Sequence, residues 1–174
     1  GGAGLHRGGN GLSVGYRFLS DGEVAIHDER WLTYPWGVLG GDTGLRSSKL
    51  LVRTDGSKEW LPSKVEGVKV KEGDMLYFNT WGGGGWGDPL ERDPELVLQD
   101  VNRRLVTNEG ALRYGVVIGS DGAVNIEKTK QMRGEIRQNR ADLPLFNFGG
   151  ELEDIRSRCK EETHLPAPVA PTFQ

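Results

Sequence analysis

The stretch Trp81-Gly82-Gly83-Gly84-Gly85-Trp86-Gly87-Asp88-Pro89 constrains the fold more than any other part of the chain. Four consecutive glycines between two tryptophans give up backbone entropy. A folded chain sustains that loss where φ must be positive or where another backbone or a ligand comes very close. Two readings stay open: a tight structural turn, or a contact with substrate or a partner polypeptide made by Gly82, Gly83, Gly84, Gly85, Trp86, Gly87 and Asp88. The stretch also marks a change of pattern, from strands and turns before it to mainly helices after it.

Upstream, Leu12, Val14, Tyr16 and Phe18 alternate at period two and predict a strand over 12–19. Ser20-Asp21-Gly22 is a turn by its chemistry, and Val24–Trp31 is expected to return antiparallel to the first strand. Lys49–Arg53 is a short strand ended by the Thr54-Asp55-Gly56 turn, with Glu59–Leu61 as its expected partner. Val65–Val70 and Met75–Trp81 read as a hairpin across Lys71-Glu72-Gly73-Asp74. The run Met75-Leu76-Tyr77-Phe78 is continuous and apolar, which predicts a strand buried on both faces. Tyr34-Pro35-Trp36-Gly37 and the glycines after it form a loop.

Downstream, Asp93-Pro94-Glu95 is a helix start, with an N-cap, proline in the first turn and an acid beside it. Val97, Leu98, Val101 and Leu105 continue it at helical spacing. Thr107 caps a shorter helix to about Tyr114. Val116–Ile118 and Ala123–Ile126 flank a Ser120-Asp121-Gly122 turn, and 127–140 is a polar helix expected at the surface. Leu143-Pro144-Leu145-Phe146-Asn147-Phe148-Gly149-Gly150 is extended and apolar, suited to docking in a groove. A last helix spans Glu151–Thr163, and the proline-containing tail 165–174 is left without assigned structure. The expected class is α+β: an antiparallel β-rich part, sandwich- or barrel-like, over 1–89, then a helical part with one hairpin over 90–164.

A formal net charge of -3 argues against a general nucleic-acid binder. No apolar run is long enough for a membrane span. The single cysteine, Cys159, suits a reducing compartment, and we read the chain as cytoplasmic. Gly1-Gly2-Ala3-Gly4 carries neither an initiator methionine nor a signal-peptide pattern, so the sequence is expected to be part of a longer one.

Gly82, Gly84 and Gly87 formally match G-x-G-x-x-G, but Asp88-Pro89 stands where a dinucleotide-binding helix should open. No Walker A pattern occurs. His27-x-Glu29 sets an imidazole and a carboxylate on one strand face, as candidate acid–base groups or metal ligands. Ion pairs of Asp28 or Glu29 with an arginine are the plainer reading. With only three histidines and no short histidine pair, no metal site is assigned within this chain.

Taken together, several segments resemble the C-terminal portion of the hydantoinase B/oxoprolinase family, best its N-methylhydantoinase B-like subunits. They are Gly2-Ala3-Gly4-Leu5-His6-Arg7-Gly8-Gly9-Asn10-Gly11, Pro35-Trp36-Gly37-Val38-Leu39-Gly40-Gly41 and the Trp81–Pro94 block. Tyr114-Gly115-Val116-Val117 and the Glu162–Pro168 ending belong with them. The resemblance implies an ATP-dependent cyclic-amide hydrolase of hydantoinase or 5-oxoprolinase type. An A-type subunit or domain phosphorylates the substrate and the B-type part completes hydrolysis, with glycine-loop N–H groups as candidate oxyanion or phosphate donors. It implies ATP and a divalent metal for the whole complex and none bound by this chain. The implied partners are the A-type subunit or domain and the upstream part of the B-type polypeptide, whose His and Asp residues would hold the metal. A ketone carboxylase component and a non-catalytic assembly module are the alternatives.

Overall fold

The computed structural model describes residues 1–169. Among them, eight strands and five α-helices follow in chain order: β1 (Ser13–Arg17), β2 (Gly22–His27), β3 (Gly37–Val38), β4 (Ser48–Val52), β5 (Lys58–Trp60), β6 (Lys64–Val70), β7 (Met75–Asn79), α1 (Pro94–Asn102), α2 (Asn108–Ala111), α3 (Ile126–Asn139), β8 (Phe146–Asn147), α4 (Leu152–Ser157) and α5 (Cys159–Thr163). The class is α+β, antiparallel sheets first and helices after. Among the described residues no sheet closes into a barrel.

The chain divides into two compact units that interleave in sequence. One contains Gly11–Pro35, Leu45–Gly82 and the residues from Gly149 on; the other contains Gly1–Asn10, Trp36–Gly44 and Gly83–Phe148. The change of secondary structure near residue 89 is therefore a different division from the compact units.

The first unit is a two-layer β structure. A four-stranded sheet has the order β1-β7-β4-β5, and β2 pairs with β6 in a second sheet. The register sets Leu51 opposite Leu76, and the β2–β6 ribbon contributes Ile26, Val68 and Val70 to one buried cluster with them and Leu61. Burial of these side chains stabilises the unit by about 1.5–3 kcal/mol for each.

The sequence predicted three sequential pairings; β4 pairs with β5 across the Thr54-Asp55-Gly56 turn as expected, and the other two differ. β1 pairs with β7 and β2 with β6. A β1–β2 or β6–β7 hairpin would place all four strands in one sheet and leave the Leu51–Leu76 face in water. Sending alternate strands to opposite layers covers it. The expected double burial of β7 also fails: Leu76 is buried but Tyr77, on the opposite face, is 40% exposed.

Helices α4 and α5 belong to the same unit. The predicted single helix is interrupted at Arg158, although Ile155 and Cys159 are buried as expected. They are fastened by a buried polar group. Arg46 Nε lies 2.9 Å from Glu162 Oε2, Arg46 Nη2 donates to the Ile155 carbonyl at 2.8 Å, and its guanidinium lies 4.2 Å from the Tyr34 ring centroid. Residues 165–169 carry no helix or strand, and the rest of the expected tail lies outside the described residues.

In the second unit, α1 starts as expected, with the Asp93 carboxylate accepting from the Glu95 amide at 2.9 Å and Pro94 in the first turn. Val97 joins Ala3, Ala111, Tyr114 and Val116 in a buried cluster. The expected hairpin after residue 116 is reduced to a single bridge, Ile118 with Val124. α3 follows an Asn125 cap and buries only Thr129, as its polar sequence predicts.

Candidate functional site

The glycine block from Gly83 onward lies in the second unit, threaded between the segments 1–10 and 36–44. Its backbone is bonded to both. Gly83 N–H donates to the Gly9 carbonyl at 2.8 Å, and Gly2 N–H returns a bond to the Gly83 carbonyl at 2.8 Å. Gly85 N–H donates to the Asp42 carbonyl at 2.8 Å while Val38 N–H donates to that of Gly85 at 2.9 Å. His6 and Trp86 exchange two bonds of 2.9 Å each, and Gly87 N–H reaches the Val38 carbonyl at 2.8 Å.

These extended backbones lie closer together than side chains allow. A Cβ on Gly84 would stand 1.5 Å from the Trp36 carbonyl oxygen, and one on Gly85 would overlap the Ala3 carbonyl. Glycine is thus required by close approach of backbone to backbone. Gly87 adds a positive φ of 75°.

The same bonds limit the chemistry of the loop. The amides of Gly83, Gly85, Trp86 and Gly87 are each committed to a carbonyl of the chain itself. They are not presented to a phosphate or an oxyanion in this conformation. Asp88 is likewise engaged: its carboxylate accepts from Arg140 at 2.8 and 2.5 Å and from the Leu90 amide at 2.9 Å. Burial pushes this carboxyl upward, but the Arg140 guanidinium and the Leu90 amide outweigh it and hold it below the usual aspartate range.

What the block does present is aromatic. Trp86 is exposed and packs on the His6 ring with centroids 5.3 Å apart. Beside Val38, the β3–β8 ribbon carries Trp36, Phe146 and Phe148 in mutual ring contact. Gly82 falls in the other unit, where its amide reaches the Leu45 carbonyl at 3.3 Å.

His27 and Glu29 also lie in the first unit. Both are exposed, and each faces another partner: His27 Nε2 is 3.3 Å from Glu66, and Glu29 is 2.7 Å from Lys64. The Lys64 hydrogen bond holds the Glu29 carboxyl below its ordinary range. Among the described residues no three His, Cys, Asp or Glu side chains converge into a metal-ligand set.

Between His27 and Glu29, Asp28 turns inward to a cluster that sequence reasoning missed. Its carboxylate accepts from both Ser47 Oγ and Lys49 Nζ, and the three side chains are buried. Lys49 sits opposite Phe78 on the face that carries Leu51 and Leu76, with Nζ 5.4 Å from the Phe78 ring centroid. Burial lowers the Lys49 pKa, and the bond to Asp28 opposes that shift. A period-two reading of Lys49 and Leu51 was the available signal, since it sets a lysine on an apolar face. Asp28 and Glu29 meet Lys49 and Lys64, and Arg30 adds a smaller electrostatic pull on the Glu29 carboxyl.

The Hydantoinase B/oxoprolinase family model matches residues 1–89, which contain the whole glycine–tryptophan block. The chain belongs to the hydantoinase B/oxoprolinase family. Among relatives, a protein of Pseudomonas sp. (strain NS671), assigned as the B-type component of a D-/L-hydantoinase, is 36% identical over 133 residues. The match takes in 75% of this chain and 22% of that one. Among solved structures, the ATP-dependent caprolactamase from Pseudomonas jessenii superposes with a TM-score of 0.62 at 29% identity, over 76% of this chain and 24% of that one. An acetone carboxylase structure shares the fold, with a TM-score of 0.61 at 23% identity over 80% of this chain and 24% of that one. The match spans about a quarter of the length of that hydantoinase relative and of each of the two solved chains. Among the described residues no helix is long and apolar enough to cross a membrane.

Proposed function

We propose that this chain is the C-terminal portion of the B-type polypeptide of an ATP-dependent cyclic-amide hydrolase, acting with an A-type partner that phosphorylates the substrate. The observation that carries the reading is the glycine–tryptophan block, within the family match. The likeness to an ATP-dependent caprolactamase supports the cyclic-amide class. Resonance makes an amide carbonyl a poor electrophile, and phosphorylation of its oxygen creates a leaving group that water can displace.

Within that reaction the residues described above act as a scaffold. The amides of Gly83, Gly85, Trp86 and Gly87 are bonded to the chain itself, so we assign the donors that meet a developing oxyanion to other parts of the complex. We assign the ligands of a divalent metal likewise to the upstream part of the B-type polypeptide. Engaged amides beside an exposed aromatic face also favour a second reading, in which this region is an assembly module without catalytic groups.

The test is phosphate release by the full-length B-type polypeptide together with its A-type partner, measured with hydantoins, 5-oxoproline and lactams. Amide-stimulated ATP hydrolysis with ring opening is expected. Absence of turnover on all three classes sinks the reading, and bicarbonate-dependent turnover of a ketone replaces it with a carboxylase. Substituting Gly84 and Gly85 by alanine in that assembly separates the two roles. Lost association of the partners with residual turnover marks a module, and lost turnover in an intact assembly marks a site.

A further inference from the structure

The antiparallel β3–β8 ribbon pairs Gly37 with Asn147 and Val38 with Phe146. Continuing that register sets Trp36 beside Phe148, and the period of two sends Trp36, Val38, Phe146 and Phe148 to one face. The rings are locked against each other: Trp36 meets Phe148 edge-on at 5.4 Å and Phe146 at 6.2 Å, and the two phenylalanines stack at 6.1 Å. Yet Trp36, Phe146 and Phe148 remain 45, 46 and 50% exposed. Around the turns, Leu39, Leu143 and Leu145 are exposed as well. The segments Trp36–Gly41 and Leu143–Phe148 contain no charged side chain.

Three large aromatic rings with a leucine rim and no charge form the core composition of a permanent interface. The rings are already fixed by mutual contact, so a partner gains their burial with little loss of side-chain freedom. The absence of charge within these two segments favours an apolar partner. In the caprolactamase structure, the region matching this chain makes up 24% of the polypeptide, so most of that chain is available to cover such a face.

We propose that the ribbon face bearing Trp36, Phe146 and Phe148 is the seat of the remaining, upstream portion of the B-type polypeptide, held there by apolar contact. This rests on the reading of the chain as part of a longer B-type polypeptide, and not on the reaction that the polypeptide performs.

The test places the photo-cross-linking amino acid p-benzoylphenylalanine at Phe146 in the full-length B-type polypeptide. A control carries it at Leu112, which is equally exposed in the same compact unit but outside the ribbon. Mass spectrometry then identifies the partner peptides. Intramolecular cross-links from position 146 to upstream residues are expected, several-fold above the Leu112 control. Cross-links to a second copy or to the A-type partner, or a yield no higher than the control, overturn the proposal. Sedimentation of the cross-linked product distinguishes one polypeptide from two. A complex that cross-links as expected but turns over no cyclic amide leaves the docking face standing and removes only the reaction.

Discussion

The space that a Cβ on Gly84 would fill is occupied by the carbonyl oxygen of Trp36, at 1.5 Å from where that carbon would stand. Neither atom belongs to a movable side chain, so a methyl group at Gly84 must force two backbone segments apart. Gly84→Ala is expected to exceed the ~1–3 kcal/mol of ordinary overpacking. Gly134 gives the opposite sign: it lies inside α3 with nothing within 4 Å of its absent Cβ. Gly134→Ala is expected to stabilise by ~0.5–1 kcal/mol through helix propensity. Urea denaturation of the two variants checks both signs.

This pair explains what was legible in the sequence. Four glycines in a row announced a close approach, because glycine has few other uses at that density. They did not name the neighbours, since backbone-to-backbone bonds leave no side-chain pattern in Gly1–Asn10 or Trp36–Gly44. Strand positions were legible from period two and turn chemistry, both local properties. Pairing was legible for β4 with β5 across their short turn but not for β1, β2, β6 and β7, because Phe18 and Gly22 enter different layers for a reason set by the Leu51–Leu76 face far along the chain. For the candidate site, His27-x-Glu29 was visible as a pattern, while its partners Glu66 and Lys64 come from β6, which no spacing could nominate.

The buried Lys49–Asp28 pair should respond strongly to loss of one partner and weakly to loss of both charges. Lys49→Met leaves the Asp28 carboxylate in the core with Ser47 as its remaining donor, and is expected to destabilise by ~3–5 kcal/mol. Adding Asp28→Asn removes the uncompensated charge and keeps an acceptor for Ser47. The double variant is expected to be more stable than Lys49→Met alone. Chemical denaturation of the wild type, both single variants and the double variant gives the coupling directly.

Asp74 ties the 71–74 turn to β4. Its carboxylate accepts from the Lys71 and Thr54 amides, both at 3.0 Å, and lies 3.3 Å from Arg53. The Lys71 amide bond first, then the Thr54 amide and the Arg53 guanidinium, hold the carboxyl below its usual range against the opposing effect of desolvation. A depressed carboxyl contributes fully above the unfolded aspartate pKa of about 3.9 and loses that contribution as pH falls through the folded value. Asp74→Asn is therefore expected to lower stability at neutral pH and to flatten the decline in acid. Urea midpoints between neutral pH and acid check this, and a decline as steep as the wild type's would contradict it.

Helix α5 is held through Tyr34 and Arg46. Tyr34 donates its hydroxyl to Glu162 at 2.6 Å and accepts from Arg46 Nη2 at 2.8 Å. Burial and then the Glu162 carboxylate raise the Tyr34 pKa, so the hydroxyl stays a neutral donor through physiological pH. Tyr34→Phe keeps the ring under the Arg46 guanidinium and deletes only the oxygen, at a cost of ~1.5–3 kcal/mol for a hydrogen bond to a charged group. Glu162→Gln removes the countercharge of a nearly buried arginine and is expected to cost more, although the partial exposure of Glu162 moderates the difference. Amide hydrogen exchange locates the effect: protection in α5 should fall in both variants while the α1 amides are unchanged. Equal loss across the whole chain would instead show that Tyr34 supports global folding and not the attachment of the terminal helix.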